Sequence, residues 1–265
     1  MAITTLDQFI GAPSQRITIN KTASVTATAL ASTQVLQAAG SPGAGVLAGT
    51  NTANGVVPDD TTAGFPSINA FQGGATGYIG GIHFGSTVPC RISLFDCLFK
   101  AGAYAFNANQ TLSAQPSYST RVPNGTDFTN TEIWIEAVTA FTGNLSVAVT
   151  YTNQAGTTGK TTGVVATGVA PIVGRMIQLP FAVGDTGVQK IESVIATVST
   201  VGTFNVLVLR RLWGGRVVIA NAGDSHDFLK TGMPPIADNS ALMPVITPDS
   251  TATGLFELFF EVVNG

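Results

Sequence analysis

The sequence predicts an all-β protein, a jelly-roll-like β-sandwich carrying a short N-terminal arm. Three observations carry that reading. Roughly ten short segments alternate apolar and polar residues with the two-residue period of a half-buried strand. Gly, Pro, Asn and Asp cluster between them as turn formers. Helical periodicity is almost absent beyond the first ten residues, and no fixed repeat marks a solenoid or propeller. The chain has 265 residues. All-β domains run undivided to about 200–250 residues, and no linker splits this one, so residues 16–265 are expected to form one sandwich.

Residues 1–15 read as the arm. Thr5 is placed to cap a turn through Leu6, Phe9 and Ile10, with Gly11 and Pro13 ending it. Gln15 to Lys21 alternates strictly, and Val25 to Leu30 does so with smaller residues. Residues 39–77 are rich in Gly, Ala, Thr and Pro, and Ala39-Gly40-Ser41-Pro42-Gly43 and Asn54-Gly55 signal turns. A stretch of this length without strand pattern reads as a surface loop or a wrapping arm. Strand candidates then follow closely: Tyr78 to Phe84, Arg91 to Phe99, Glu132 to Thr139, Leu145 to Tyr151, Thr162 to Ala166 and Met176 to Phe181. Ile191 to Ser199, Thr203 to Leu209, Arg216 to Ala220, Ala241 to Ile246 and Leu255 to Val263 complete the set. Within Arg91 to Phe99, Ile92, Leu94 and Asp96 fall on one face and Phe95, Cys97 and Phe99 on the other. Thr142-Gly143-Asn144 suits a hairpin between two of these strands.

Charge is unusually sparse. Only 10% of residues are Asp, Glu, Lys or Arg, against about 25% in an average soluble protein. Mean hydropathy is +0.33. A surface of Thr, Ser, Asn, Gln and Gly repels its neighbours little and tolerates close packing, which points to an assembly. The net charge of −3 and the scatter of the twelve basic residues argue against nucleic acid, which needs clustered Lys and Arg. No apolar run approaches the about 20 residues of a membrane-spanning helix, and the N-terminus lacks the pattern of a secretory signal. Cys90 and Cys97 lie seven apart in one strand, hence on opposite faces. They are expected to be buried, unpaired hydrophobes of a reducing compartment.

Candidate chemistry is thin. Asp224-Ser225-His226-Asp227 after Gly223 could supply metal ligands or a nucleophilic serine, but further ligands and a distant Asp-x-x-His are missing. A polar turn in which Asp224 bonds the backbone is the plainer account. Glu132 and Glu136 flank Ile133-Trp134-Ile135 and invite a glycosidase reading. On one strand they lie about 13 Å apart, beyond the about 6.5–9.5 Å of inverting enzymes, so an exposed strand edge is expected, as for Glu257 and Glu261. His83 sits in a strand with no carboxylate near it in sequence, and Asp59-Asp60 is too isolated for calcium. The Asn-Gly pairs at Asn54, Asn124 and Asn264 are turn chemistry. No phosphate loop, zinc spacing or nucleotide fingerprint occurs. No catalytic residue, metal or cofactor is expected.

Several segments resemble a known group. They are Thr131-Glu132-Ile133-Trp134-Ile135-Glu136-Ala137-Val138-Thr139-Ala140-Phe141-Thr142-Gly143-Asn144, Val149-Thr150-Tyr151-Thr152-Asn153-Gln154-Ala155-Gly156 and Gly187-Val188-Gln189-Lys190-Ile191-Glu192-Ser193-Val194. Gly43 to Thr50 and Phe204 to Leu209 fit the same pattern. Together they resemble virion structural proteins of tailed bacteriophages, of the head and capsid-decoration type. The resemblance implies a virion structural role and says little about which part of the virion. A non-enzymatic protein that decorates and cements the outer capsid, made in the bacterial host cytoplasm with the major capsid protein as partner, is the expected function. Decoration of threefold positions implies a homotrimer, and Leu6, Phe9, Ile10 and Arg16 are the expected contacts with partners. A receptor- or carbohydrate-binding module of a tail or head fibre, and a tail or adaptor subunit, are the alternatives. Exposed Trp and Tyr would favour the sugar binder.

Overall fold

The computed structural model describes residues 3, 5–106, 109–143, 146–165, 171–196 and 201–265. In chain order, α1 (Leu6–Gly11) is followed by β1 (Ser14–Lys21), β2 (Thr33–Gln34), β3 (Gly40–Ser41), β4 (Asn51–Val56), β5 (Gly77–Ser86) and β6 (Cys90–Ala105). Then come β7 (Gln110–Thr111), β8 (Thr131–Ala137), β9 (Val147–Asn153), β10 (Lys160–Thr161), β11 (Met176–Leu179) and β12 (Val188–Ala196). The chain closes with β13 (Thr203–Val217), β14 (Ala222–His226), α2 (Phe228–Thr231), β15 (Pro235–Ile236), β16 (Leu242–Pro248) and β17 (Phe256–Asn264). All pairings among these strands are antiparallel.

The strands form three sheets in a jelly-roll-like sandwich. The central sheet runs β11-β8-β13-β6-β16-β2, with β4 on β6. The terminal sheet runs β14-β5-β17-β1-β3, and a small sheet runs β10-β9-β12-β7. The long strands β6 and β13 pair along their whole length and organise the molecule. At one end Phe99, Ala101, Phe204, Val206 and Val208 pack with Val149, Tyr151, Ile191 and Val194 of the small sheet. At the other end Ile92, Leu94, Trp213 and Val217 pack with Ile17, Ile82, Phe84 and Leu258 of the terminal sheet. Both cores lie on one face of the central sheet. The opposite face carries Phe95, Cys97, Trp134, Leu207 and Met243, covered by Leu36 and Phe65.

A β-bulge corrects the expected facing of β6. Val208 pairs with Phe99 and Leu209 with Cys97, so Leu98 is the extra residue. A one-residue insertion reverses all facing beyond it, which returns Phe99 to the face of Ile92, Leu94 and Asp96. Cys90 and Cys97, before the bulge, are on opposite faces as expected, and both are buried and unpaired.

Other expectations are also corrected. Val25 to Leu30 forms no strand and makes only a single bridge, Thr26 to Ala252. Thr203 to Leu209 and Arg216 to Ala220 are not two strands: β13 runs without a break through the first and into the second, ending at Val217. Residues 162–165 are not strand, and pairing there stops at Thr161. The segment around Thr142-Gly143 is no hairpin, because β8 belongs to the central sheet and β9 to the small one. Asn144, Leu145, Ala166 and residues 197–199, where parts of these expectations fall, lie outside the described residues.

Residues 39–77 lie against the body: Phe65, Ile68 and Phe71 are buried and β4 pairs with β6. Their glycines permit backbone-to-backbone approach. A Cβ at Gly45 would stand 2.4 Å from the Ala63 carbonyl oxygen, a distance no side chain tolerates. Lys21 fastens the start of the stretch. It is almost wholly buried, and its Nζ donates to the carbonyls of Ala38 at 3.1 Å and Pro42 at 2.8 Å. Lys21→Met keeps the apolar stem and leaves those acceptors without a donor. Urea denaturation should show a loss of about 1–3 kcal/mol; an unchanged midpoint would mean water replaces the ammonium.

Candidate functional site

The N-terminal residues build an exposed apolar surface. Thr5 caps α1, and a capping box closes it: the Thr5 hydroxyl accepts from the Gln8 N–H and the Gln8 side chain accepts from the Thr5 N–H, each at 3.2 Å. Local bonds of this kind fix so short a helix. Phe9 turns inward, where its ring lies 5.2 Å from that of Phe228 in α2 and over Gly80, whose missing side chain makes the room. Leu6 and Ile10 face solvent, 53% and 72% exposed, and Leu229, beside Phe228, is 77% exposed. The Phe9–Phe228 contact therefore gathers exposed aliphatic groups from two helices.

Arg16 lies apart from this surface. It is exposed in β1 and lines a shallow trough of about 390 Å³ on the outer face of the terminal sheet, with His83, Phe259 and Glu261. Of the four expected contact residues, Leu6 and Ile10 present their side chains outward together, Phe9 anchors the helix to the body, and Arg16 belongs to a separate strip.

A second feature sits on the seam between the two cores. Asp96 is fully buried and accepts from Arg121, whose Nε–Oδ2 distance is 3.4 Å and whose Nη2 approaches Oδ1 more closely. The Ser240 hydroxyl donates to it at 3.0 Å, and Arg210 stands 3.6 Å away. Arg121 also donates to the carbonyls of Cys97 and Pro58. Burial lowers the Arg210 pKa from its usual value, and the Asp96 carboxylate works against that. Arg121 and Arg210 form part of the lining of a cleft of about 430 Å³, with Tyr78, Val122, Ile236 and Asp238. With two guanidinium groups engaged by one carboxylate and by carbonyls, the cluster cross-braces the seam. Sequence reasoning placed Asp96 on this face but found neither arginine as its partner, because the pairing of Arg210 with Asp96 depends on strand order.

The expected chemical motifs resolve into structure. Asp224 to His226 is not a turn but strand β14, paired with β5. Asp224 accepts from the Ser225 N–H at 2.7 Å, Asp227 caps α2, and His226 Nδ1 accepts from Trp213 Nε1 at 3.0 Å. Glu136 is not at an exposed edge. It is fully buried, because β8 lies between β11 and β13. Glu132 pairs with Arg211 at 3.1 Å and accepts from Trp134 Nε1 at 2.7 Å. Burial pushes the Cys97 thiol up to about 12, which removes thiolate chemistry at neutral pH. Among the described residues no three His, Cys, Asp or Glu side chains gather as metal ligands, and no helix is long and apolar enough to cross a membrane. Both tryptophans are buried, Trp134 at 6% exposure and Trp213 at 5%.

No protein-family model matches the chain, and no curated protein sequence matches it. Among solved structures, a subviral particle of infectious bursal disease virus VP2 aligns at 11% identity over 95% of this chain and 79% of that one, with a TM-score of 0.18. T=1 particles derived from infectious bursal virus align at 9% identity over 96% and 78%, with a TM-score of 0.19. Likeness at those scores carries no argument about fold or function.

Proposed function

We propose that this chain is a non-enzymatic structural subunit of a virion, of the kind that decorates a capsid, self-associates as a trimer and docks on the major capsid protein. The observation that carries this is the exposed aliphatic surface of α1 and α2, on a body whose sequence is only 10% charged. Side chains such as Leu6 and Ile10 contribute about 1.5–3 kcal/mol each when fully buried, and repetition over symmetric copies multiplies a modest contact. The sequence resemblance to tailed-phage virion proteins supports the same reading. Burial of both tryptophans leaves less aromatic surface for the carbohydrate-binding alternative and so favours this reading.

The test is a double variant, Leu6→Glu with Ile10→Glu. Both sites are exposed, so the body should keep its circular dichroism spectrum and its unfolding midpoint. Co-sedimentation with capsids should fall at least about tenfold, the equivalent of about 1.4 kcal/mol. Undiminished co-sedimentation would remove α1 from the interface. A wild-type chain that sediments as a monomer and binds no capsid would overturn the proposal.

A further inference from the structure

Beneath the loop at residues 46–49, three residues from separate strands meet on the face of the central sheet opposite the two main cores. They are Lys100 of β6, Glu136 of β8 and Asn205 of β13. Asn205 and Glu136 are directly paired across β13 and β8. One oxygen, Glu136 Oε2, accepts from Asn205 Nδ2 at 2.6 Å and stands 3.5 Å from Lys100 Nζ. The Asn205 Oδ1 accepts from the Gly49 N–H at 2.8 Å, and Nδ2 also donates to the Leu47 carbonyl at 2.7 Å. Lys100 Nζ donates to the Val46 carbonyl at 3.3 Å. Glu136 and Asn205 are wholly buried and Lys100 is nearly so. Glu136 Oε1 is buried with no hydrogen-bond partner among the described residues.

From this geometry we propose that Lys100 and Asn205 are joined by an autocatalytic intramolecular isopeptide bond, with Glu136 as the proton carrier. A primary amine, a carboxamide and a shared carboxyl group in a water-excluded site are the complete reactant set. The pair Lys100–Glu136 first passes one proton from the ammonium to the carboxylate. The neutral amine then attacks Asn205 Cγ, and a C–Nζ bond forms. The developing oxyanion on Oδ1 already has a backbone donor in Gly49. Glu136 gives its proton to Nδ2, the C–Nδ2 bond breaks, and ammonia leaves. The carboxylate then takes the surplus proton from Nζ. One amine and one amide become one substituted amide and one ammonia, with no oxidant or reductant.

The surroundings fit this chemistry. Burial raises the Glu136 pKa, with Lys100 and Asn205 opposing, and a shift in that direction favours transfer of the Lys100 proton to the carboxylate. Glycine clears space on both sides of the amide. A Cβ at Gly49 would stand 2.9 Å from Asn205 Oδ1, and one at Gly102 would stand 2.3 Å from it. Exclusion of water disfavours hydrolysis of the asparagine as a competing outcome. The Gly/Ala-rich stretch therefore lids a reactive centre and supplies its oxyanion donor.

Electrospray mass spectrometry of the intact, denatured protein tests the proposal. The wild-type chain should be lighter than its sequence by one ammonia, and proteolysis should release a branched peptide joining Lys100 to Asn205. Lys100→Arg and Glu136→Gln should each restore the full mass. Asn205→Asp should still react but lose one water in place of ammonia, which fixes the acyl donor. A folded wild-type chain that keeps its full sequence mass after prolonged incubation would overturn the proposal. So would a mass deficit that persists in Lys100→Arg. The wild-type measurement decides the matter even where a variant fails to fold.

Discussion

Replacing Asp96 with alanine is expected to destabilise the fold by about 3–5 kcal/mol, the usual consequence of removing one partner from a buried ion cluster. Asp96 is the single acceptor that holds Arg121, Arg210 and Ser240 together on the seam between the two cores. Without it, two guanidinium groups, both nearly inaccessible, lose the carboxylate they share, and only the weaker pull of Asp127 on Arg210 remains. They would have to drag water into the seam or swing out, and Arg121 would then release the carbonyls of Pro58 and Cys97. Equilibrium urea unfolding measures the effect. Asp96→Ala combined with Arg121→Met and Arg210→Met should recover much of the loss, because a well-packed apolar replacement of a buried cluster is often neutral or better. A loss below about 1 kcal/mol in the single variant would show that the seam is held by the flanking cores alone.

The contrast between Asp96 and Leu6 shows what was legible in the sequence. Exposed aliphatic residues on a capped N-terminal turn are a local signal, and the structure has Thr5 capping α1 and Leu6 and Ile10 facing out. Strand periodicity was equally local, and β1, β5, β8 and β17 fall close to the expected segments. Pairing is not local. Glu132 and Glu136 gave the same pattern whether β8 lay at an edge or inside a sheet, and only the position of β13 beside it decides that Glu136 is buried. The bulge at Leu98 left no mark in the alternation, because apolar residues occupy both faces from Leu94 to Phe99 apart from Asp96. Glycine content in residues 39–77 resembled low complexity, whereas Gly45 and Gly49 answer to steric contacts with residues distant in sequence. The meeting of Lys100, Glu136 and Asn205 depends on strand order in the same way, so no spacing rule could reveal it.

The aromatic cluster at one end of the central sheet, in the core that the small sheet shares, gives the other large effect. Phe204 is fully buried in β13, with its ring 4.7 Å from Phe106 and 5.7 Å from Tyr104, and Phe106 meets Phe141 at 4.6 Å. Phe204→Ala removes the ring at the middle of this group and leaves a cavity whose rigid aromatic walls cannot collapse into it. Truncations of this kind cost about 3–5 kcal/mol. Urea unfolding should show a loss in that range, while Ile219→Ala, at a site 67% exposed, should stay within about 0.5 kcal/mol of wild type. Hydrogen exchange adds a sharper test. Because β6 and β13 run through both cores, protection of amides in β12 of the small sheet and in β17 of the terminal sheet should fall by the same factor. Loss confined to the small sheet would mean that the two ends unfold as separate units, and that the ion cluster at Asp96 does not couple them.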